Sequence, residues 1–435
     1  MKEVTILGAG IAGMGAAFHA KKQGARPVIF EKRSRPGGHT SSHEVEGGFT
    51  FDEGPHVSFT KNPRIQELFA ESVDQKYEII QAYANNYWKG HWIKHPAICN
   101  LHGLPQDLVV DILKDVAELQ HQETEPEINN FADWLIASYG ETFSETFPFQ
   151  YNQKYHTTHP RNLSTDWLGP RLYKASFEEV VRGALSSETK DVHYVDHFRY
   201  PTYGGFESYL HMFKQEVDFR LQHDLERIDP RAKTLHFANG EVREFKQLVS
   251  SLPLTELVKR IEGTPQEVVD AAQKLACSKC VCISVGIDRN DISPAQWSYF
   301  YDHEIIFTRI SMPHLLSPKT GPEGTGSIQV EVYYSDKYKP LDQSLEAIEK
   351  QVLVDLRKCD LLRDEDTILT VDTRLLPFAN VIFDLDRASS VETVHGYLAD
   401  LGIHCCGRYG LWGYQWTDES FVSGEAAAEA VLSNL

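Results

Sequence analysis

Three glycines near the N-terminus constrain the fold more than any other feature of the sequence. Gly8, Gly10 and Gly13 form a GxGxxG motif between an apolar run and the segment MGAAFHAKKQG, which predict a strand and a helix. A second predicted strand, PVIFE, ends on Glu31. The first glycine permits the turn, the second lets the backbone approach a pyrophosphate, the third lets helix and strand pack closely, and the acid binds a ribose. The sequence therefore predicts an α/β fold with a Rossmann-type dinucleotide-binding domain.

The residues after Glu31 indicate which dinucleotide is bound. KRSRPGGHTSS continues to a glycine pair ending at Gly38, and GFTFDEGPHVSF follows with His56. The pattern E-[KR]-x-x-x-x-G-G resembles flavoproteins of the amine-oxidase type, in which this loop runs beneath bound FAD. Residues 407–428, GRYGLWGYQWTDESFVSGEAAA, resemble the glycine-led loop and helix that return to cover the flavin end in such folds. We therefore predict that FAD is held between segments from both ends of the sequence.

Composition and charge limit the classes of partner. The 62 acidic and 43 basic residues give a formal net charge of -19, which argues against binding to nucleic acid or an anionic membrane. No apolar run approaches the roughly 20 residues of a membrane span, and MKEVTILGAG continues directly into a strand without a signal peptide. The seven cysteines follow no disulfide or metal-site pattern, so we expect reduced thiols, a cytoplasmic location and no metal site.

Further motifs resemble those of the UDP-galactopyranose mutases and their relatives, within the wider amine-oxidase and protoporphyrinogen-oxidase group. GPHVSF resembles the family's GPHxFH and carries its first histidine at His56. FTRISMPHLLSP resembles YTRITEHKxxSP and places Arg309 on the family's catalytic arginine. GRYGLWGY resembles GRLGxYxY and places Arg408 and Tyr414 on a flavin-contacting arginine and a phosphate-contacting tyrosine.

The resemblance implies a nucleotide-sugar mutase that interconverts pyranose and furanose forms. In the family, reduced FAD attacks the anomeric carbon, the nucleoside diphosphate leaves, and the sugar ring opens and recloses on another hydroxyl without net redox. NAD(P)H is a possible reductant. Arg171 and Arg309 are the expected diphosphate ligands, because a guanidinium binds phosphate bidentately. Tyr414 and Tyr338 are expected to donate hydroxyls, and His56 to lie near the flavin.

These arguments define three sets of site residues. The predicted catalytic residues are Arg309, Arg171, Tyr414, His56 and Tyr338. The predicted substrate-binding residues are Tyr151, Tyr155, His156, Arg171 and Arg309. The predicted FAD-binding residues are Gly8, Gly10, Ile11, Ala12, Gly13, Glu31, Lys32, Gly38, His39, Pro55, His56, Val57, Leu225, Gly407, Arg408, Gln415, Trp416, Thr417, Asp418 and Ser420.

Several positions leave an alternative open. The family's second histidine is Phe59 here, and its tryptophan five positions after Tyr151 is His156. These departures affect substrate recognition, so an FAD-dependent oxidase or dehydrogenase of the amine-oxidase or protoporphyrinogen-oxidase type is the alternative function. Structural alternatives also exist: Arg309 could be a charge at a strand edge, and Arg171 could cap a helix or pair with an acid.

The remaining sequence predicts interleaved parts. Residues 1–65, 199–255 and 385–435 are assigned to the FAD-binding domain, 66–198 to a mainly helical insertion, and 256–384 to a substrate domain with an antiparallel sheet. YWKGHWIKHP, in the insertion, favours a strand with its aromatic face on the core, with a pocket lining as the alternative. We expect the active site where these parts meet over the flavin, because ligand sites favour domain junctions.

Overall fold

The computed structural model describes residues 2–122, 124, 126–169, 172–190, 192, 195–215 and 217–434. The strands are β1 (Glu3–Leu7), β2 (Arg26–Phe30), β3 (Ser42–Val45), β4 (Phe49–Asp52), β5 (Tyr77–Gln81), β6 (Ala84–Trp88), β7 (His91–Lys94), β8 (His197–Pro201), β9 (Asp218–Arg220), β10 (Leu225–Asp229), β11 (Thr234–Phe237), β12 (Val242–Glu244), β13 (Leu248–Ser250), β14 (Ala276–Ile287), β15 (Trp297–Phe300), β16 (Arg309–Ser311), β17 (Gly326–Ser335), β18 (Ile368–Leu376), β19 (Val381–Ile382) and β20 (Ile403–Cys405). The helices are α1 (Ile11–Lys22), α2 (Pro63–Ser72), α3 (Gln106–Gln120), α4 (Phe131–Tyr139), α5 (Glu141–Thr146), α6 (Pro148–Tyr155), α7 (Phe177–Leu185), α8 (Leu254–Lys259), α9 (Gln266–Lys274), α10 (Leu345–Lys358), α11 (Arg387–Asp400), α12 (Gly407–Gly410) and α13 (Thr417–Ser433).

A five-stranded parallel sheet forms the domain that the N-terminal motif predicts. Its strand order is β20-β13-β1-β2-β9, so strands far apart in the sequence lie side by side. Apolar residues of α1 and α13 pack together with β1, β2 and β13 in one core cluster. On the opposite side, β1, β2 and β13 pack against β10, β11, α8, α9 and α11. The result is the mixed α/β fold expected for an amine-oxidase-type flavoprotein.

Helices α1 and α13 approach each other backbone to backbone. A Cβ atom added at Gly424 would lie 1.9 Å from the Ala12 carbonyl oxygen, and one added at Gly15 would lie 2.2 Å from the Phe421 carbonyl oxygen. Such distances leave no room for a side chain, so both helices need glycine at the crossing. This contact fixes the C-terminal segment beside the GxGxxG helix.

A second, mostly antiparallel sheet carries the other half of the cleft. Its order is β18-β14-β17-β16-β15-β6-β7, and β19 pairs with β14 at one end. Side chains alternate between its faces. Apolar residues of β14, β16 and β17 pack with α10 on one face, which leaves the alternate residues of these strands facing the FAD-binding domain.

The stretch between the two sheets combines helices and strands. Helices α3, α4, α5 and α7 share a core with segments of the large sheet. Strands β6 and β7 belong to that sheet, because β6 pairs in parallel with β15. The stretch 66–198 is therefore less purely helical than we expect from its sequence, and its boundaries as a separate domain remain a prediction. No helix in the described ranges is long and apolar enough to cross a membrane.

Candidate functional site

A cleft of about 450 Å³ lies between the parallel sheet, the large sheet and α6. Residues from both ends of the sequence line it, together with residues of β15, β16 and β17. The predicted site residues that line it are Gly8, Gly10, Ile11, Ala12, Glu31, Lys32, Gly38, His39, Pro55, His56, Val57, Tyr155, Leu225, Arg309, Gly407, Arg408, Tyr414, Gln415, Trp416, Thr417 and Ser420.

The glycine motif shapes one end of the cleft for a pyrophosphate. Helix α1 begins after Gly10 without a side-chain cap, so N–H groups of its first turn can serve an anion. A Cβ at Gly13 would lie 2.0 Å from the Gly8 carbonyl oxygen, and one at Gly38 would lie 2.9 Å from Gly10 Cα. Glycine at position 38 is therefore needed for its loop to pack against the turn at Gly10. These features fit the diphosphate of FAD.

The acidic residue at the end of β2 is fixed by backbone donors. The Ala9 N–H donates to Glu31 Oε2 at 2.8 Å, and the Arg33 N–H donates to Oε1 at 2.9 Å. Leu225 lines the same region of the cleft, and its carbonyl accepts from Arg260 Nε at 2.7 Å. A carboxylate accepts more than two hydrogen bonds, so Glu31 retains capacity for ribose hydroxyls.

The C-terminal loop closes over the opposite part of the cleft. Gly407 has a φ of +76°, and its N–H donates to Ser423 Oγ at 2.8 Å. Arg408 Nε donates to the Gln415 carbonyl at 2.8 Å, and its guanidinium lies 5.0 Å from the centroid of the Tyr414 ring. Gln415 Oε1 is buried and has no hydrogen-bond partner among the described residues. Such an orphaned acceptor facing a cofactor cleft is consistent with a donor group on FAD.

Two half-buried histidines, His39 and His56, flank the expected flavin position. His56 Nδ1 lies 2.8 Å from the Gly54 carbonyl. Since a carbonyl only accepts, Nδ1 carries the proton and Nε2 is an acceptor. Burial lowers the pKa of His56, against the opposing effect of Asp52. Burial, assisted by Arg33, lowers the pKa of His39 to about 3. Both rings are therefore neutral at physiological pH.

An arginine–carboxylate pair faces the cleft from the large sheet. Arg309 on β16 lies opposite Glu331 on β17, and Nη2 donates to Oε1 at 2.9 Å. The Tyr333 hydroxyl donates to the same carboxylate oxygen at 2.5 Å. Burial alone would lower the pKa of Arg309, but Glu331 and Tyr333 raise it well above its ordinary value. The site therefore holds a permanent, oriented cation with part of its surface open to the cleft.

Hydroxyl and amide groups of other cleft residues lie around Arg309. The Tyr155 hydroxyl donates to Asn380 Oδ1 at 3.0 Å, and Arg408 Nη1 donates to the same oxygen at 3.4 Å. Burial and the neighbouring Tyr414 raise the pKa of Tyr155 well above its ordinary value, so its hydroxyl stays protonated. Arg309 and Arg408 with these hydroxyls can bind an anionic group of a substrate.

The family model described as "Flavin containing amine oxidoreductase" matches residues 11–432. The chain belongs to this family. It is an FAD-dependent enzyme of the amine-oxidase superfamily, as the sequence motifs predict.

Solved flavoprotein structures resemble the chain over its full length. The crystal structure of reduced UDP-galactopyranose mutase is 26% identical, with a TM-score of 0.93 over 100% of this chain and 96% of that one. A putative protoporphyrinogen oxidase from Exiguobacterium sp. 255-15 is 17% identical, with a TM-score of 0.76 over 100% of this chain and 99% of that one. The second likeness shows the fold alone, and the first confirms the resemblance to a mutase-like flavoprotein.

Curated relatives of this family member include carotenoid desaturases, which match it over short segments. Phytoene desaturase (lycopene-forming) of Pantoea ananas is 38% identical over 81 residues, which are 19% of this chain and 16% of the desaturase. The 1-hydroxycarotenoid 3,4-desaturase of Flavobacterium sp. (strain P99-3) is 44% identical over 68 residues, 16% of this chain and 14% of that protein. The chain thus matches less than a fifth of the length of either relative.

Several predicted site residues lie outside the cleft lining of this amine-oxidase-family fold. Gly13 is excluded because it packs on the Gly8 backbone, and Asp418 lies in the first turn of α13. Tyr338 is held away from the cleft because its hydroxyl donates to Asp384 at 2.8 Å. Arg171 lies outside the described residues.

Two of the predicted substrate-binding residues, Tyr151 and His156, are also absent from the cleft lining. Tyr151 is stacked on Tyr155, with ring centroids 5.3 Å apart, and meets the edge of Tyr299 at 5.6 Å. His156 is 1% exposed and packs between Tyr155 and Trp167. Both rings therefore pack against Tyr155 and do not line the cleft, which corrects the expectation that they contact the substrate directly.

Most of the cleft residues contributed by the large sheet were not predicted from the sequence motifs. These residues include Glu331, Tyr333, Tyr299, Trp297 and Ser311, and Asn380 joins them from the segment before β19. The segment SIQVEVYYS did carry a signal, because polar and aromatic residues alternate in it with Ile and Val. Alternation predicts two faces of a strand, but it does not show which face meets a ligand.

Proposed function

We propose that this FAD enzyme is a nucleotide-sugar mutase that interconverts pyranose and furanose forms of its substrate. The observation that supports it best is the Arg309–Glu331–Tyr333 arrangement within a cleft rich in tyrosine hydroxyls. An oriented guanidinium flanked by neutral donors suits a diphosphate that must leave and return. The full-length likeness to reduced UDP-galactopyranose mutase supports the same assignment.

Each described residue has a distinct role in this proposal. Reduced FAD, when bound, supplies the nucleophile for the anomeric carbon. Arg309 binds the diphosphate and stabilises its charge as it leaves, while Glu331 keeps the guanidinium in one orientation. Tyr414 and Tyr155 supply hydroxyls beside it. His56 presents its Nε2 lone pair near the flavin, because Nδ1 is committed to Gly54.

Turnover also requires a source of electrons and of substrate. An NAD(P)H donor would deliver electrons to FAD before turnover, and a cytoplasmic location would supply both NAD(P)H and nucleotide sugars. Both remain predictions.

An oxidase or desaturase is the second candidate. The carotenoid desaturases among the relatives favour it, as do apolar side chains such as Phe59, Trp297 and Leu316 at one side of the cleft. Net oxidation of a substrate would distinguish this reaction from isomerisation.

The test is substitution of Arg309 in the dithionite-reduced holoenzyme, with conversion of UDP-galactopyranose and other nucleotide sugars followed by chromatography. Arg309→Ala should lower kcat/KM by at least about 100-fold, because two charge-assisted hydrogen bonds to phosphate are lost. Arg309→Lys should lower it by about tenfold, since the charge remains but the bidentate geometry does not. Arg182→Ala is the control, since Arg182 is an exposed residue of α7 that forms an ion pair with exposed Glu178.

The same assay separates the two candidates. Isomerised product without oxygen consumption supports the mutase. Full turnover by Arg309→Ala would refute the role of Arg309. Stoichiometric oxygen consumption with a non-sugar substrate, and no isomerisation of any nucleotide sugar, would replace the mutase with the oxidase.

A further inference from the structure

Two rows of side chains lie next to each other on the cleft face of the large sheet. One row contains the charged pair Arg309 and Glu331. The next contains Trp297 opposite Ser311 and Ser311 opposite Gln329, and none of these three carries a charge. We call Trp297, Ser311 and Gln329 the neutral row. Residues two apart on a strand are separated by about 7 Å. The neutral row is therefore one step along the sheet from the cation.

The neutral row lies beside the segment expected to contact the flavin. Gln329 Nε2 donates to the Asp52 carbonyl at 2.9 Å and to Ser284 Oγ at 3.2 Å. Asp52 ends β4, and Gly54 to Val57 follow directly and line the cleft. With a diphosphate on Arg309, the part of the substrate nearest the flavin would thus face the neutral row. In the proposed reaction that part is the sugar.

The walls beside the neutral row are apolar. Phe59, Val195, Leu316 and Trp297 line this side of the cleft. Phe59 meets Trp416 edge to face, with centroids 4.6 Å apart, so its ring is fixed against the expected flavin-binding loop. Among the described residues of this side, none offers a charged group. A smaller cavity of about 130 Å³ shares Val195 with this side of the cleft and is also lined by Lys94. The Lys94 ammonium would favour a negatively charged sugar over an uncharged one.

Few hydrogen-bonding groups remain for sugar hydroxyls. Ser311 Oγ is buried and has no partner within the described parts of the chain. The Gln296 side-chain oxygen already accepts from the Tyr83 N–H at 2.7 Å, which orients the side-chain amide. Both amide hydrogens of Gln329 already have acceptors. A hydroxyl forced against the apolar walls would lose its hydrogen bonds to water without replacement.

We infer that the neutral row and its apolar walls form the sugar subsite and that they select a deoxy sugar, one bearing a methyl group or hydrogen in place of a hydroxyl. The apolar face of the sugar lies on Trp297, and Ser311 and Gln296 hold the hydroxyls that remain. This inference rests on the proposed function, and Trp297 is the residue that sets specificity.

The experiment compares three probes that differ only at carbon 6: UDP-galactose, its 6-deoxy analogue and UDP-galacturonate. Calorimetric titration of the oxidised holoenzyme gives dissociation constants, and chromatography of the reduced enzyme gives turnover. We expect the 6-deoxy sugar to bind about 10- to 100-fold more tightly than galactose, the range that one misplaced group in an apolar pocket produces. Trp297→Ala should reduce that ratio at least about fivefold, while Trp297→Phe should retain most of it.

A ratio between probes is insensitive to general loss of structure, so it isolates the role of the subsite. Trp92→Ala is the matched control, because Trp92 lies on β7, is 41% exposed and does not line the cleft. It should leave the ratio unchanged. A ratio near one in the wild type, or tighter binding of UDP-galacturonate through Lys94, would overturn the deoxy-sugar subsite.

The outcomes distinguish this inference from the proposed function. Isomerisation of galactose without a deoxy preference keeps the mutase and removes the subsite. A deoxy preference that depends on Trp297, in an enzyme that isomerises none of the probes, keeps the subsite and removes the mutase. Failure of all three probes to bind refutes both.

Discussion

Acid should destabilise the fold through His156, and His156→Leu should remove that effect. Burial lowers the pKa of His156 to about 3, and its Nδ1 has no partner within the described residues. The unfolded chain binds a proton near the ordinary histidine pKa of about 6.5, whereas the folded chain remains neutral until about pH 3. Protons therefore favour the unfolded state as pH falls below 6.5.

The size of the effect follows from this difference. Between about pH 7.5 and about pH 5 the buried ring costs about 2 kcal/mol of stability, at about 1.4 kcal/mol per pH unit below 6.5. Unfolding entropy of about 2.1 cal/mol/K per residue amounts to about 0.9 kcal/mol/K for 435 residues. The wild type should therefore lose about 2 °C more in Tm over this range than His156→Leu.

Release of flavin fluorescence on heating the holoenzyme measures this difference. Subtracting the two Tm changes cancels other titrating groups, including His39, which both proteins share. His121→Gln is the control, because His121 is exposed after α3 and its ring meets solvent in both states. Parallel Tm curves for wild type and His156→Leu would refute the reasoning, because the ring would then be accessible to protons in the fold.

Two further changes test the packing and the buried charges. Gly424→Ala should destabilise the fold by about 3 kcal/mol and reduce FAD content, because its Cβ would lie 1.9 Å from the Ala12 carbonyl oxygen. Gly396→Ala, in α11 with nothing within 4 Å of its new Cβ, should stabilise by up to about 1 kcal/mol, and equal Tm values for the two variants would contradict the helix contact. Burial lowers the pKa of Lys154 to about 7, so the unfolded state binds the extra proton and stability should rise with pH from about 7 to about 10.5. Lys154→Met should flatten the rise in Tm over that range, and an unchanged slope would show that Lys154 is not its source.

The FAD-binding half of the site was predictable because its requirements are local. The turn at Gly8, the close approach at Gly13 and the acid at Glu31 each follow from the residue type at a fixed spacing, and they make the close contacts that the motif implies. The C-terminal loop carries its own glycine and arginine signals, and Gly407 and Arg408 line the cleft as expected.

The substrate half was less predictable because it depends on how strands pair and on which face is covered. A sequence motif predicted Arg309 as a site residue. Its partner Glu331 lies on β17, and the register between β16 and β17 cannot be deduced from the sequence of either strand alone. Tyr151 and His156 lie in a segment compared with the family, with His156 in place of the family's tryptophan, yet Tyr155, Tyr299 and Trp167 cover them. Only the packing of neighbouring elements decides such burial.

The sequence by itself thus determined the dinucleotide fold, the cofactor class and the two chain segments that line the cofactor cleft, because backbone geometry at glycines and the charge of single residues are properties of short stretches. Tertiary structure decided the substrate side. Helix α10 covers the Ile and Val face of the large sheet, which turns Trp297, Arg309, Ser311 and Glu331 toward the cleft. That choice of face arises from burial of apolar area across segments far apart in the chain, and no single segment contains it.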